Sequence, residues 1–403
     1  MSTLAERILG APAGEYVDRK VDRAYVHDGT GVLTLEAWKE LGANQLSDLP
    51  EFYVLFDHIV PANNSMTASL QHELREFACG SFMHFSDIGG GICHQLMSEG
   101  VVLPGEVIVG ADSHSCTNGA FGAFATGVGA TDMAAIWLTG ETWFRVPDTI
   151  GIHLTGSLQG MAEAKDLALL YVSRLGMDGA TYCALEFCGD GAHTLAMDDR
   201  LTLCNLSVET GAKTGMFYAD DVTVRYLAGR GQAVKPQVPE AIAYPQKLEI
   251  DLSEIIPLVA LPSRVDTIRP AGDLAGLGVD QVFIGTCTNG RYADLARCAT
   301  ILRGKKVAVR TIVVPASREV LAEAIRTGVL GDLVAAGCTI GTPGCGPCLG
   351  AHMGVLGEGE VCLSTANRNF RNRMGVGGEI YLSSVSTAAA SALTGEITEP
   401  EAG

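Results

Sequence analysis

The chain has 403 residues, 47% of them apolar and 18% charged, an ordinary globular composition with room for two or three domains. A formal net charge of −18 repels nucleic-acid phosphates, and no Lys/Arg run offsets it locally. No apolar stretch reaches the ~18 residues of a membrane span, so nucleic acid and membrane are not expected partners.

In chain order, short β-branched runs alternate with Ala/Leu-rich helical stretches, which predicts an α/β protein with mostly parallel sheets. A strand at 53–56 leads into Asp57-His58. His72-Glu73-Leu74-Arg75-Glu76 half-matches the zinc-protease helix pattern, lacks its second histidine, and reads as a solvated helix surface. The glycines at 89–91 lack dinucleotide-binding spacing and run into Ile92-Cys93-His94, while a strand at 107–109 leads into Gly110-Ala111-Asp112-Ser113-His114. A middle segment, bounded by Pro147 on one side and Pro257, Pro262 and Pro270 on the other, contains Asn205 and Glu209. Four residues apart, these two are expected on one helix face, converging on one site. The last third reads as a strand at 279–284, a helix at 292–302, a strand at 307–314, a helix at 317–327 and a strand at 361–364. That last strand runs into Asn367-Arg368-Asn369-Phe370-Arg371-Asn372-Arg373. Three α/β/α domains are expected, at 1–147, 148–262 and 263–403, with polar clusters beyond the carboxyl ends of strands, where such sheets bind ligands.

Two runs carry the chemistry: Gly285-Thr286-Cys287-Thr288-Asn289-Gly290 and Thr342-Pro343-Gly344-Cys345-Gly346-Pro347-Cys348. Cys345 and Cys348 alone fit half a zinc knuckle, or a pair of buried small residues, as well as a cluster corner. With Cys287 the count is three, whereas structural zinc sites and electron-transfer clusters usually close with four protein ligands; three leaves a metal corner open for substrate. The other nine cysteines, Cys79, Cys93, Cys116, Cys183, Cys188, Cys204, Cys298, Cys338 and Cys362, are expected to be buried small residues, and thiols scattered singly through the chain suit a reducing cytoplasm. Asp57-His58, His94 and Asp112-Ser113-His114 supply acid–histidine groupings of the type that proton transfer needs.

The runs Gly110-Ala111-Asp112-Ser113-His114, Thr286-Cys287-Thr288-Asn289-Gly290, Pro343-Gly344-Cys345-Gly346-Pro347-Cys348 and Asn367-Arg368-Asn369-Phe370 resemble the aconitase family. His27-Asp28-Gly29-Thr30, Gly91-Ile92-Cys93-His94-Gln95, Phe124-Ala125-Thr126-Gly127 and Pro315-Ala316-Ser317-Arg318-Glu319 are most similar to its archaeal-type isopropylmalate isomerase and homoaconitase group. The resemblance implies the aconitase iron–sulfur fold and a [4Fe-4S] cluster on Cys287, Cys345 and Cys348 with one open iron. It implies that His58, oriented by Asp57, protonates a departing hydroxyl, and that Asp112 with His94 and Glu209 with His114 relay protons. Asn205 and Asn367 are then donors to the cluster, while Ser113, Arg368 and Arg373 grip substrate carboxylates, a task that suits the planar guanidinium fork.

Two departures qualify the likeness. Thr30-Gly31-Val32 stand where aconitase has a substrate-reading glutamine, which points away from citrate. The Gly-Ser-Ser-Arg segment of the swivelling domain is absent from the sequence, so a small partner subunit carrying it is expected, in a heterodimer or heterotetramer. The implied reaction is dehydration and rehydration between 2- and 3-isopropylmalate, in leucine biosynthesis. Homoaconitate and 2,3-dimethylmalate are the alternative small hydroxy-acid substrates. An RNA-binding regulator and a zinc structural protein are the readings from other classes.

Overall fold

The computed structural model describes residues 2–48, 51–237 and 242–401. Four sheets organise them, with helices packed between and around the strands. A five-stranded parallel sheet runs in the order His84–Ser86, Glu51–Leu55, Arg23–His27, Val107–Gly110, Phe124–Gly127. A four-stranded parallel sheet runs Thr214–Phe217, Ala184–Cys188, Thr149–Thr155, Gln246–Asp251. The seven-stranded sheet runs Ile268–Pro270, Leu258–Ala260, Glu379–Ser383, Val361–Ser364, Gln281–Ile284, Arg310–Val313, Thr339–Ile340, and only Leu258–Ala260 pairs antiparallel to its neighbours. Tyr16–Lys20 and Glu141–Arg145 form a two-stranded antiparallel ribbon. The fold is α/β, and among the described residues no helix is long and apolar enough to cross a membrane.

The strands read from β-branched runs are present but shorter where their ends have other partners. The run expected at 307–314 is a strand only over Arg310–Val313, because the Val307 and Ala308 amides donate to Ala336 O and Ala392 O instead. The helix Tyr292–Leu302 matches its expected bounds. The expected helix at 317–327 forms as Arg318–Arg326, where the Ser317 side chain caps the Val320 amide and so satisfies an otherwise orphaned donor.

Chain order reverses at one point in each parallel sheet. In the five-stranded sheet it reverses between Arg23–His27 and Val107–Gly110, and in the seven-stranded sheet between Gln281–Ile284 and Val361–Ser364. The crevice beyond the carboxyl ends at such a point is left uncovered by crossover connections and collects ligands. One reversal carries His27-Asp28 and Ala111-Asp112, the other Gly285-Thr286-Cys287 and Thr365-Ala366-Asn367. A single buried apolar cluster, including Tyr25, Ile108, Ile152, Leu185, Phe283 and Leu382, runs through residues of all three parallel sheets. This shared core holds the two reversal points against each other. Direct contacts do the same: the Ile92 amide donates to Ala316 O, the Arg318 amide to Gly90 O and the Cys345 amide to Asp57 O.

Candidate active site

The Asp112 carboxylate is the centre of a group of imidazoles. His94 Nε2 lies 2.8 Å from its Oδ1 and His114 Nδ1 3.7 Å from it; His27 Nε2 and His58 Nε2 lie 3.7 and 3.9 Å from Oδ2. Burial opposes ionisation of Asp112, yet the His94 and His114 interactions outweigh it and hold the carboxyl well below its ordinary range. The far nitrogen of His94 meets the Tyr25 hydroxyl at 2.9 Å, so both ring nitrogens of a nearly buried imidazole are engaged and its orientation is set. His114 Nε2 meets Glu209 Oε1 at 2.9 Å.

Asp57, fully buried, lies 2.7 Å from His58 Nδ1 through Oδ1, while its Oδ2 accepts from the Cys93 amide at 2.7 Å. Burial works against charge on both partners. The His58 charge and hydrogen bond nonetheless hold Asp57 down at about 2, and His58 is raised well above its usual value by the Cys345 sulfur and Asp57. His27 stacks on His58 with ring centres 3.7 Å apart. Asp28 accepts from the Asp57, His58 and Ile59 amides and from Gln71, which fixes the loop that presents the pair.

Three thiols face this imidazole group. Cys287 sits on the short turn Thr286–Asn289, entered through Thr286 at φ +74°, a left-handed conformation that costs a β-branched residue energy and is held by the contacts around it. The Thr286 and Thr288 hydroxyls meet at 2.6 Å, and Arg291 donates to Cys287 O and Thr288 O. Cys345 and Cys348 flank Gly346, whose φ of +57° and close approach to Val314, 2.8 Å from an added Cβ, exclude a side chain there. Cys345 is the half-buried thiol of the three, and its Sγ lies 3.7 Å from His58 Nδ1.

The chemistry of this donor set fits an anionic sulfur cluster. Asn205 Nδ2 donates to Cys287 Sγ at 3.1 Å, Asn367 Nδ2 to the same sulfur at 3.5 Å, and Arg373 Nη2 to Cys348 Sγ at 3.4 Å. Lys165, fully buried, donates to Thr365 O and Ala366 O; burial pushes it down to about 8, with the Cys287 and Cys348 sulfurs acting in the opposite sense. Burial pushes the Cys287 thiol up to about 12, and a bound metal would favour its thiolate. Among the described residues the three sulfurs do not form a group whose ligand atoms all lie within 4.8 Å of one another. One tetrahedral ion held by all three thiols would need that proximity.

The fold thus gathers Asp57, His58, His94, Asp112, His114, Glu209, Asn205, Asn367, Cys287, Cys345 and Cys348 around one crevice. Four expectations are corrected or refined. Asn205 and Glu209 do not share one helix: Met197–Leu206 ends first, Glu209 lies on the following 3-10 turn, and the two side chains serve Cys287 and His114 separately. Arg368 is paired through Nε with Glu209 Oε1 at 2.7 Å, and Arg373 through Nε with Cys348 O at 2.8 Å. Ser113 lines a neighbouring cavity of about 580 Å³ with Thr126, Asp132 and Lys213. Of the other cysteines, Cys79 is exposed and Cys183 and Cys188 are half-buried. Sequence reasoning passed over Tyr25, His27 and Asp28 as site residues, although His27-Asp28 repeats the pattern of an acid–histidine pair at a strand end. Lys165 offered no sequence signal.

The aconitase family profile (aconitate hydratase) matches residues 5–275 and 268–395. The chain belongs to the aconitase family. Among its relatives, the probable methanogen homoaconitase large subunit of Methanosarcina mazei is 53% identical, over 94% of this chain and 98% of that protein. The 3-isopropylmalate dehydratase large subunit 1 of Methanopyrus kandleri is 48% identical over 99% of this chain and 98% of its own length. The methanogen homoaconitase large subunit of Methanocaldococcus jannaschii is 44% identical over 98% and 99%. The fold also resembles the holo-form crystal structure of Thermococcus kodakaraensis aconitase X, with a TM-score of 0.53 and 14% identity, covering 87% of this chain and 84% of that one. Membership of the aconitase family implies an iron–sulfur cluster, the group for which the thiol set is suited, and the names of the first three relatives imply a small subunit beside each of them.

Proposed function

We propose that this chain is the cluster-bearing large subunit of a hydro-lyase that interconverts 2- and 3-isopropylmalate by dehydration and rehydration. The supporting observation is the crevice itself, where three thiols, two of them with N–H donors aimed at sulfur, face three carboxylate-paired histidines across two sheet-reversal points. Cys287, Cys345 and Cys348 would hold a [4Fe-4S] cluster, whose chemistry when bound is Lewis-acid polarisation of a carbon–oxygen bond. His58, held in one orientation by Asp57 and backed by His27, carries a proton at the crevice and delivers it to the leaving hydroxyl. Asp112 keeps His94 in a fixed tautomer for the return of that proton, and Glu209 does the same for His114 and links it to Arg368. On substrate entry Arg368 and Arg373 turn their remaining N–H groups to its carboxylates, and the Ser113 hydroxyl is a further donor to them. A small partner subunit would close the crevice and exclude water, so that these charges act unscreened.

Homoaconitate as substrate is the second reading, favoured by the names of the relatives from M. mazei and M. jannaschii. The experiment is anaerobic reconstitution with iron and sulfide, followed by alkene absorbance for 2-isopropylmalate, homoaconitate and 2,3-dimethylmalate. It is run with the chain alone and with a small subunit of the kind the relatives' names imply. Turnover of isopropylmalate by the pair alone is expected. Faster turnover of homoaconitate moves the assignment to the second reading, and full activity from the single chain overturns the subunit role.

A further inference from the structure

Lys165 places a positive charge where water has no access. It stands in the first turn of the helix Ala164–Leu175, is 0% exposed, and donates through Nζ to Thr365 O at 2.7 Å and to Ala366 O at 2.6 Å. Lysine is almost never fully buried unless its charge is paired, because neutral carbonyls only partly replace lost hydration. The carbonyls do not call for a charge. Thr365 O already accepts from the Thr288 hydroxyl at 2.6 Å, and the Thr365 hydroxyl accepts from the Gly285 amide at 3.0 Å. A neutral donor would serve them as well, so it is the charge that needs a partner.

Among the described residues no carboxylate forms an ion pair with it; both of its hydrogen bonds go to carbonyls. Two carboxyls act on it from nearby, and each has other donors: Asp166 accepts from the Glu163 and Leu258 amides, Asp294 from Asn289 Nδ2 and the Arg291 amide. Burial pushes Asp166 up to about 8 and Asp294 up to about 7, which weakens them as counter-charges. The Cys287 and Cys348 sulfurs act on Lys165 more strongly than either carboxyl. The connections run the same way. Thr365 O joins Lys165 to Thr288, the neighbour of Cys287, and Asn367, which follows Ala366, donates to Cys287 Sγ at 3.5 Å. Of the other cations beside these thiols, Arg291 has Asp198 at 3.9 Å and Arg373 is half-buried, whereas Lys165 has neither a carboxylate partner nor an exposed face.

We propose that Lys165 is the buried counter-ion of the cluster: its ammonium offsets the negative charge that thiolates and inorganic sulfide bring into the core, and so sets how firmly the cluster is held and how readily it takes an electron. The inference rests on the cluster reading of the three thiols and goes beyond it, since it concerns no substrate and no acid–base step. Net charge and burial are among the factors that fix the potential of an iron–sulfur centre. A positive charge that solvent does not screen favours the reduced, more negative state and opposes loss of the anionic centre. Without the cluster the ammonium is uncompensated, so removing its charge harms the loaded chain more than the bare one.

The test uses the full chain, reconstituted anaerobically with ferrous iron and sulfide and free of substrate. Lys165→Gln keeps an N–H donor for the carbonyls and removes the charge, whereas Lys165→Arg keeps both. Bare Lys165→Gln is expected to fold by circular dichroism. Once loaded, it should lose iron to a chelator ~10–100-fold faster than the parent, the usual worth of a group behind metal ligands. In a potentiometric titration followed by electron paramagnetic resonance, its reduced-to-oxidised ratio at a fixed potential should fall about tenfold, or ~59 mV for one electron. Lys165→Arg should keep the parent's potential. If Lys165→Gln does not fold, Lys165→Met, similar in length and uncharged, takes its place. A parental potential in a folded neutral variant, an equal shift in Lys165→Arg, or failure of both neutral variants to fold, which would make the charge a need of the bare fold, overturns the proposal. A parent that takes up no iron and sulfide fails the cluster reading itself, while a loaded parent matched by its neutral variant fails this proposal alone.

Discussion

Asn205→Asp separates the cluster from the fold that surrounds it. Asn205 is fully buried, donates to Cys287 Sγ at 3.1 Å and to Thr117 Oγ1 at 2.8 Å, and accepts from Asn367 Nδ2 at 3.0 Å. Aspartate keeps the volume and the acceptor but, ionised, removes both donors. Against a thiolate at 3.1 Å, its charge costs about 5 kcal/mol at an effective dielectric near 20. The carboxyl escapes part of this by taking up a proton, which from an ordinary value near 3.9 costs about 4 kcal/mol at pH 7. That cheaper route sets the penalty, roughly a thousandfold in cluster affinity, and it does not apply to a neutral Cys287 thiol. The variant chain should therefore still fold without metal by circular dichroism, melting below the parent only by the cost of burying a carboxyl in place of an amide. After anaerobic reconstitution it should hold far less iron and acid-labile sulfide, and lose both faster to a chelator. Asn205→Ala, which brings no charge, should fall between the two. Parental iron and sulfide retention in Asn205→Asp would refute the place given to Cys287 as a thiolate ligand.

His58→Asn should lower kcat of the reconstituted pair by ~10²–10⁴, the usual worth of a positioned acid, with iron content intact; unchanged turnover would move the acid elsewhere. Glu186, fully buried, accepts from the Leu4 and Ala5 amides and the Tyr244 hydroxyl, and burial pushes its carboxyl from about 4.5 up to about 7. A carboxyl raised on folding favours the folded state while protonated. Its contribution is lost as pH climbs from about 4.5 to about 7, on the order of 3 kcal/mol. Glu186→Gln should then resist urea better than the parent at pH 8 and equally at pH 4.5, and a difference that fails to grow with pH would contradict this.

The site was legible in the sequence where local pattern carries it. Strand ends followed by Asp57-His58, by Asp112-Ser113-His114 and by Cys287 can be read because a β-branched run that stops at a polar cluster is a short-range signal. The same holds for Cys345-Gly346-Pro347-Cys348, whose spacing is itself the constraint. The helix carrying Asn205 was misjudged in length, because the break before Glu209 is made by packing: the Ser207 hydroxyl bonds Leu203 O and the Glu209 carboxylate is drawn to His114 and Arg368. No propensity in Asn205-Leu206-Ser207-Val208-Glu209 announces that turn.

The sequence by itself determined the α/β alternation, the three thiols, the acid–histidine pairs and the family. Only the tertiary structure decided their partners. His58 meets a cysteine 287 positions away, Asn367 meets Asn205 across 162, and Lys165 reaches the carbonyls of Thr365 and Ala366 across 200 and 201. It also decided that Asp112 stands among four imidazoles. Local periodicity sets which face of a strand or helix is buried, but not which other sheet that face is buried against. That choice comes from the shared apolar core, which closes three reversal points at once and brings side chains from distant segments within hydrogen-bonding distance.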